Sequence, residues 1–275
     1  MRETEQERAA TDSAFRIAVL RAVAGLALAL AVPASVVAPN AARAEQPLLP
    51  GVGQADRRAP VDAAEAPWRS VVRVQTNLAG RCTGALVGPR TVLTAGHCLF
   101  NPRTRRFLQA SSLHVLFGYD RGAYSRHATV VRVETDPSYD PAAARPDEAG
   151  DWAILTLSEP APASVPPLPV QAAPLPAGTP VMLGGYSQDR SQILMADRDC
   201  RVLGGGRGLL VHDCSATRGT SGGPLLVRAD GGKGQGWAVA GVGVAAGNTP
   251  EVRNIAVPAA NFAALLARNT AAGQP

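Results

Sequence analysis

The sequence predicts an all-β fold on three observations. Aromatic residues make up only 4% and charged residues 18%, while glycine and proline number 28 and 23, a balance that favours short strands and frequent turns over long helices. Short β-type runs follow one another at close spacing, most of them separated by turn residues. Only the tail, 259–268, has helical spacing, with Phe262, Leu265 and Leu266 on one side.

Residues 1–44 read as an export signal. Arg16 and Arg21 flank the apolar stretch 22–37, and Ala42-Arg43-Ala44 supplies a small-x-small cleavage site. The stretch is alanine-rich, interrupted by Pro33, and short of the roughly 20 strongly apolar residues that a membrane span requires. Cleavage near Glu45 is therefore expected in preference to a membrane anchor, with a secreted or periplasmic product and no stable membrane insertion afterwards. Residues 45–67 are polar, proline-containing and without periodicity, so a flexible segment or propeptide is expected there.

Order is expected from Trp68, with strand runs at 70–75, 83–87, 91–94, 113–117, 129–133 and 153–157. The proline-rich stretch 160–179 is too stiff and too poor in donors for a central strand and reads as a connector. A second set follows at 180–184, 191–196, 201–203, 209–212, 223–227, 237–244 and 252–257, closed by the tail helix. Two sets joined by a connector suggest paired antiparallel barrels at about 68–160 and 180–270, although a single β-sandwich suits the composition equally well.

The net charge of +5 is spread over scattered arginines, with no basic run denser than Arg103–Arg106, so nucleic-acid binding is not expected. Four cysteines, Cys82, Cys98, Cys200 and Cys214, all follow the signal, an even count consistent with two disulfides formed in an oxidising compartment. Of the three possible pairings, the local one (Cys82 with Cys98, Cys200 with Cys214) is expected because each pair flanks a strand-turn-strand segment. There is no Cys-x-x-Cys, and His97 alone among the histidines adjoins a cysteine, so neither a metal nor another cofactor is expected.

Three segments carry chemistry. In Leu93-Thr94-Ala95-Gly96-His97-Cys98 a β-run ends in small residues that leave an imidazole open, and its ordinary pKa near neutrality suits a general base. In Asp151-Trp152-Ala153-Ile154-Leu155 an acid stands at the mouth of an apolar strand, either as a turn residue or as a buried acceptor for a histidine N–H. In Arg218-Gly219-Thr220-Ser221-Gly222-Gly223-Pro224 the glycines permit a tight turn that exposes the serine hydroxyl and aims successive N–H groups at one spot. The N–H groups of Gly219 and Ser221 are the candidate oxyanion donors; losing one such donor typically costs about 3 kcal/mol of barrier.

Thr-Ala-Gly-His-Cys, Asp-x-Ala-Ile-Leu and Gly-Thr-Ser-Gly-Gly-Pro, in that order, resemble the three motifs of trypsin-like serine peptidases of the chymotrypsin superfamily. The resemblance covers roughly residues 68–268. It implies two six-stranded antiparallel barrels with a C-terminal helix and a cleft between them, acting on protein or peptide substrates. It also implies Ser221 as nucleophile, His97 as its base and Asp151 as the group orienting the base, and it matches Cys82–Cys98 to the family's disulfide beside the histidine. By the same resemblance, Ser215, Ala216, Thr217 and Arg218 form the base of the primary specificity pocket, and Gly243, Val244, Ala245 and Ala246 its opposite wall.

Several positions depart from that pattern. Thr220 stands where animal trypsins carry the aspartate that pairs with a freed N-terminus, and Ser215 stands in place of the pocket aspartate. A Lys or Arg side chain would then be buried unpaired, so cleavage after basic residues is not expected and the small wall residues favour a medium-sized apolar side chain. The Gly243 wall also lacks the histidine that a glutamate-specific pocket of the staphylococcal type would use. Val244 replaces a serine that in many relatives donates to the triad acid. The rival Gly-x-Ser-x-Gly elbow of α/β-hydrolases fails on chain order, since His97, His114, His127 and His212 all precede Ser221. The non-enzymatic alternative is an inactive secreted binding protein on a peptidase scaffold.

Overall fold

The computed structural model describes residues 49–229 and 236–272; the expected export signal lies outside them. A short strand, β1 (Ala59–Pro60), precedes the first barrel. Then come β2 (Val71–Thr76), β3 (Arg81–Gly88) and β4 (Thr91–Thr94), a small hairpin of β5 (Phe100–Asn101) and β6 (Arg106–Phe107), and β7 (Leu113–Phe117), β8 (Arg126–Thr135) and β9 (Ala153–Leu157). The ring closes in the order β2-β3-β4-β9-β8-β7, with β7 pairing back onto β2. Period-two alternation sets the faces: in β8, Ala128 and Val130 point inward while Val131 is exposed. Val72, Val74, Leu86, Val92, Val115, Phe117 and Leu155 fill the interior.

The second barrel is made of β10 (Pro180–Gly185), β11 (Met195–Gly206), β12 (Leu209–His212), β13 (Pro224–Arg228), β14 (Trp237–Ala245) and β15 (Asn254–Pro258). Its ring runs β11-β10-β13-β14-β15-β12, with β12 returning to β11. Val181, Leu183, Val202, Leu225, Val227 and Ala256 line its core. The helix α1 (Ala263–Ala272) follows, and Phe262 at its start packs against Trp152, ring centroids 6.0 Å apart. No helix among the described residues is long and apolar enough to cross a membrane.

A third apolar cluster joins the barrels, with Trp68, Leu93, Trp152, Ile154, Tyr186, Leu226, Val257 and Phe262 among its members. Burying each large side chain of this kind contributes about 1.5–3 kcal/mol. The buried Arg73 of β2 reaches across, donating to Ser191 O at 2.7 Å with its guanidinium 4.0 Å from the Tyr119 ring centroid. Tyr186 Oη donates to Tyr119 O at 3.1 Å. The relation of the two barrels, and with it the cleft between them, is thus fixed by apolar burial and by hydrogen bonds.

Two expectations need correction. The runs 191–196 and 201–203 do not form separate strands: one strand, β11, starts at Met195 and pairs first with β10 and then with β12. The polar residues Asp197-Arg198-Asp199 between the two runs are accommodated within the strand because Asp197, although buried, accepts from Arg57 Nε at 3.0 Å and from Ser215 N at 2.8 Å. The flexible segment expected at 45–67 is, over residues 49–67, bound to the second barrel. There Val52 is buried, β1 pairs with β11, and Arg57 and Arg58 make ion pairs. Backbone hydrogen bonds and charges hold this segment, and neither produces an apolar period in the sequence.

Candidate active site

His97 owes its position to the end of β4. Beyond Thr94 the chain turns through a 3₁₀ segment, Gly96–Leu99, which carries the imidazole, and the Cys82–Cys98 disulfide ties that turn to β3. Asp151 follows another 3₁₀ turn, Glu148–Gly150, capped by the Asp147 side chain, and stands buried just before β9. The two meet: His97 Nδ1 lies 2.7 Å from Asp151 Oδ2, and the His97 backbone N–H donates to Asp151 Oδ1 at 2.8 Å. An ionised carboxylate only accepts, so the ring proton belongs on Nδ1 and Nε2 is left as the basic lone pair.

Asp151 has a further neighbour that sequence motifs did not announce. Burial, and then the Asp151 carboxylate beside it, push the Tyr139 phenol well above its ordinary value, so it stays protonated next to that carboxylate. The same ring explains Gly96, where an added Cβ would stand 3.0 Å from Tyr139 Cε1 and 3.3 Å from Asp151 Oδ1. Tyr139 sits in a loop, Asp136-Pro137-Ser138-Tyr139, that reads in sequence as an ordinary turn.

Ser221 lies on the loop between β12 and β13, and glycines shape its turn. Gly219 has φ +91°, and a Cβ there would meet Tyr186 O at 2.5 Å; Gly222 has φ +83°, and its Cβ would meet Thr83 O at 2.1 Å. Only glycine adopts these angles in that space. Thr83 of β3 anchors the loop from the opposite barrel, its N–H donating to Ser221 O at 2.8 Å and its Oγ1 to Gly219 O at 2.9 Å. Among the described residues, no hydrogen bond takes up the N–H of Gly219 or of Ser221.

His97, Gly219 and Ser221 line one cleft of about 510 Å³. Of the expected pocket residues, Ala216, Thr217, Arg218, Gly243, Val244, Ala245 and Ala246 line it too. Ser215 does not. It is buried behind the wall, its N–H bound to Asp197 and its Oγ donating to Val52 O at 3.4 Å. The wall and the Ser221 loop are stitched together, Gly222 N to Gly243 O at 2.8 Å and Gly243 N to Gly223 O at 2.9 Å. The Cys200–Cys214 disulfide closes the chain just ahead of this loop.

Other lining residues escaped the sequence motifs, among them Pro50, Arg81, His212 and Asn254. His212 is fully buried, and burial pulls its pKa down to about 4 against the opposing pull of Asp213. Cys214 N donates to its Nδ1 at 3.2 Å, which puts the proton of the neutral ring on Nε2, a buried donor without a partner. The sequence carried no signal for it, because its strand neighbours are apolar. Cys82, His97 and Cys98 cluster closely enough to suggest a metal, but both sulfurs are spent in the disulfide.

With two six-stranded barrels and a His–Asp pair beside a glycine-bounded serine, the class is that of the chymotrypsin-fold serine peptidases. The chain belongs to the trypsin family, whose profile matches residues 57–266. Glutamyl endopeptidase of Bacillus licheniformis is 36% identical over 56 residues, 20% of this chain and 17% of that protein. Serine protease SP24D of Anopheles gambiae is 28% identical over 185 residues, 60% of this chain and 65% of that protein. The chain therefore spans less than two thirds of the length of these relatives.

Two solved structures share the fold. A Glu endopeptidase in complex with MPD superposes with TM-score 0.66 at 20% identity, covering 78% of this chain and 96% of that one. Vibrio cholerae VesB protease superposes with TM-score 0.60 at 21% identity, covering 78% of this chain and 67% of the other.

Proposed function

We propose that this protein is an exported serine endopeptidase in which Ser221 is the nucleophile, His97 the general base and acid, and Asp151 the group that orients and stabilises the imidazole. The observation that carries the reading is the 2.7 Å contact of His97 Nδ1 with Asp151 Oδ2, on a ring that shares its cleft with Ser221. With Nδ1 held as a donor, Nε2 takes the hydroxyl proton as Ser221 Oγ bonds to the scissile carbonyl carbon. The carbonyl oxygen becomes an anion, which the N–H groups of Gly219 and Ser221 receive. Collapse breaks the C–N bond, His97 returns its proton to the leaving amine, and water then hydrolyses the acyl-enzyme by the same route. Every triad position is filled, and no observation favours an inactive scaffold.

Export is supported by the signal-like sequence at 1–44 together with the two disulfides, which persist in an oxidising compartment. As to specificity, no carboxylate lines the cleft among the described residues, while the exposed Arg81 and Arg218 do. A substrate lysine or arginine finds no partner there, which supports cleavage after other residues. The medium-sized apolar side chain expected from the sequence fits the small wall residues. A second reading, an acidic side chain, draws support from the partnerless Nε2–H of His212 and from the similarity to glutamyl endopeptidase of Bacillus licheniformis.

Labelling with a fluorophosphonate, comparing the wild type with Ser221→Ala, tests the reading. The wild type is expected to label and the variant not to; a folded wild type that stays unlabelled contradicts it. Cleavage of a peptide library then separates apolar from acidic preference, and dominant cleavage after Lys or Arg overturns the specificity assignment.

A further inference from the structure

The strap ahead of the first barrel touches the site at both ends. At one end Gly51, with φ +75°, is wedged between the two walls of the specificity pocket: its N–H donates to Gly247 O at 2.7 Å, and its carbonyl accepts from Ala216 N at 2.9 Å. The buried Asn254 amide completes the joint, its Nδ2 donating to Gly51 O at 2.9 Å and to Cys214 O at 2.8 Å, while Gly247 N donates to its Oδ1 at 2.9 Å. There is no room for anything but glycine, since a Cβ at position 51 would stand 2.1 Å from Ala216 O and 2.7 Å from Ala246 Cβ. Pro50 beside it lines the cleft itself.

At the other end the buried Arg58 forks between two carboxylates. It donates to Asp56 Oδ1 and Oδ2, both at 2.9 Å, to Asp189 Oδ1 at 3.0 Å and Oδ2 at 2.8 Å, and to Ser187 Oγ at 3.0 Å. The loop it holds, residues 186–190, is the bed of the oxyanion turn. Gln188 N donates to Arg218 O at 2.7 Å, and Tyr186 O and Gln188 N are the nearest atoms to a Cβ built at Gly219. Arg57 adds a third tie through Asp197, which also receives the Ser215 N–H.

We propose that the strap Pro50–Arg58 is a working part of the active site: Gly51 holds the pocket walls in register and Arg58 seats the oxyanion turn, using internal backbone and a guanidinium and no freed terminal amine. Thr220, buried behind the nucleophile, has no carboxylate with which to receive such an amine. Gly51 and Arg58 are positioning residues, since neither is a reacting group. The proposal rests on the peptidase reading, because it assigns a purpose to the strap only if the cleft cleaves peptides.

Two rates, measured on the full chain, distinguish positioning from mere structure. Fluorophosphonate labelling reports the triad and the oxyanion turn, whereas cleavage of a peptide that fills the pocket reports the walls as well. Gly51→Ala is expected to keep labelling within about threefold of wild type while kcat/KM for the peptide falls about a hundredfold, the scale of an ångström-sized misplacement. Arg58→Gln is expected to slow labelling and cleavage together by about tenfold or more, because it loosens the oxyanion turn. Should Gly51→Ala fail to fold by circular dichroism, Arg58→Gln and Asp189→Asn, at the partly exposed end of the network, carry the test on the same two rates. Wild-type rates in these variants, or equal losses of labelling and cleavage in a folded Gly51→Ala, overturn the proposal. An unlabelled wild type instead overturns the peptidase reading beneath it.

Discussion

The Asp151 carboxylate engages His97 twice, through the ring at Nδ1 and through the backbone N–H of the same residue. One oxygen sets the tautomer and the other sets the backbone that carries the ring, so the pair behaves as a single rigid unit. Replacing Asp151 by Asn puts an N–H donor or a neutral oxygen where a carboxylate stood and favours the wrong tautomer. Asp151→Asn is expected to lower kcat on the order of ten-thousandfold with KM little changed. Steady-state kinetics on a peptide substrate checks this, and a loss below about tenfold would mean that Asp151 does not act through the imidazole.

Gly219 combines a left-handed φ of +91° with Tyr186 O 2.5 Å from where a Cβ would lie. Gly219→Ala must therefore shift the turn and swing one oxyanion donor away from the cleft. The expected result is a fall in kcat of about a hundred- to a thousandfold, the usual effect of deleting one such donor. The far-ultraviolet circular dichroism spectrum should be unchanged, which separates this loss from unfolding.

His212 makes stability depend on pH. Its folded value lies near 4 against an ordinary 6.5, so on acidification the unfolded chain takes up the proton first. The stability is complete above 6.5, falls between 6.5 and about 4, and below that is reduced by about 3 kcal/mol. Urea unfolding of the wild type and of His212→Asn, whose Oδ1 can still accept from Cys214 N, should show this slope in the wild type and a flatter one in the variant. Asp56 and Asp189 act at lower pH. Burial alone would raise them, but hydrogen bonds from Arg58 hold both below their ordinary 3.8, so their contribution is present above that value and disappears as pH falls through the depressed values.

Cys200 and Cys214, 14 residues apart in the chain, close a loop at the edge of the Ser221 segment. Closing a loop of this length stabilises by about 3 kcal/mol, in large part by restricting the unfolded chain. The double variant Cys200→Ala/Cys214→Ala should show a urea midpoint lowered accordingly, and an unchanged midpoint would mean that the pocket strands hold themselves without the bridge.

The site was legible where chemistry compresses into contiguous residues. Gly219 to Pro224 and Ala95 to Cys98 carry their turns in their own glycines and small residues, and the strands beside them read as short, largely apolar runs. What stayed hidden depends on contacts between distant residues. Tyr139 and His212 are single side chains brought to the site by strand closure, with nothing in their neighbourhood to mark them. The strap at 49–58 reads as a polar tail because its partners, Ala216, Asn254, Asp189 and Asp197, are more than 130 residues away in sequence. Likewise Ser215 occupies the position expected for a pocket base, yet Asp197 and Val52 turn it away from the cavity.

The most direct test of the account is to trap its covalent intermediate. Acid quenching during turnover of an activated ester, followed by peptide-level mass spectrometry, should place the acyl group on Ser221 and nowhere else in the wild type, with no adduct in Ser221→Ala. Turnover without an adduct on Ser221, or an adduct that persists elsewhere in the variant, would contradict it.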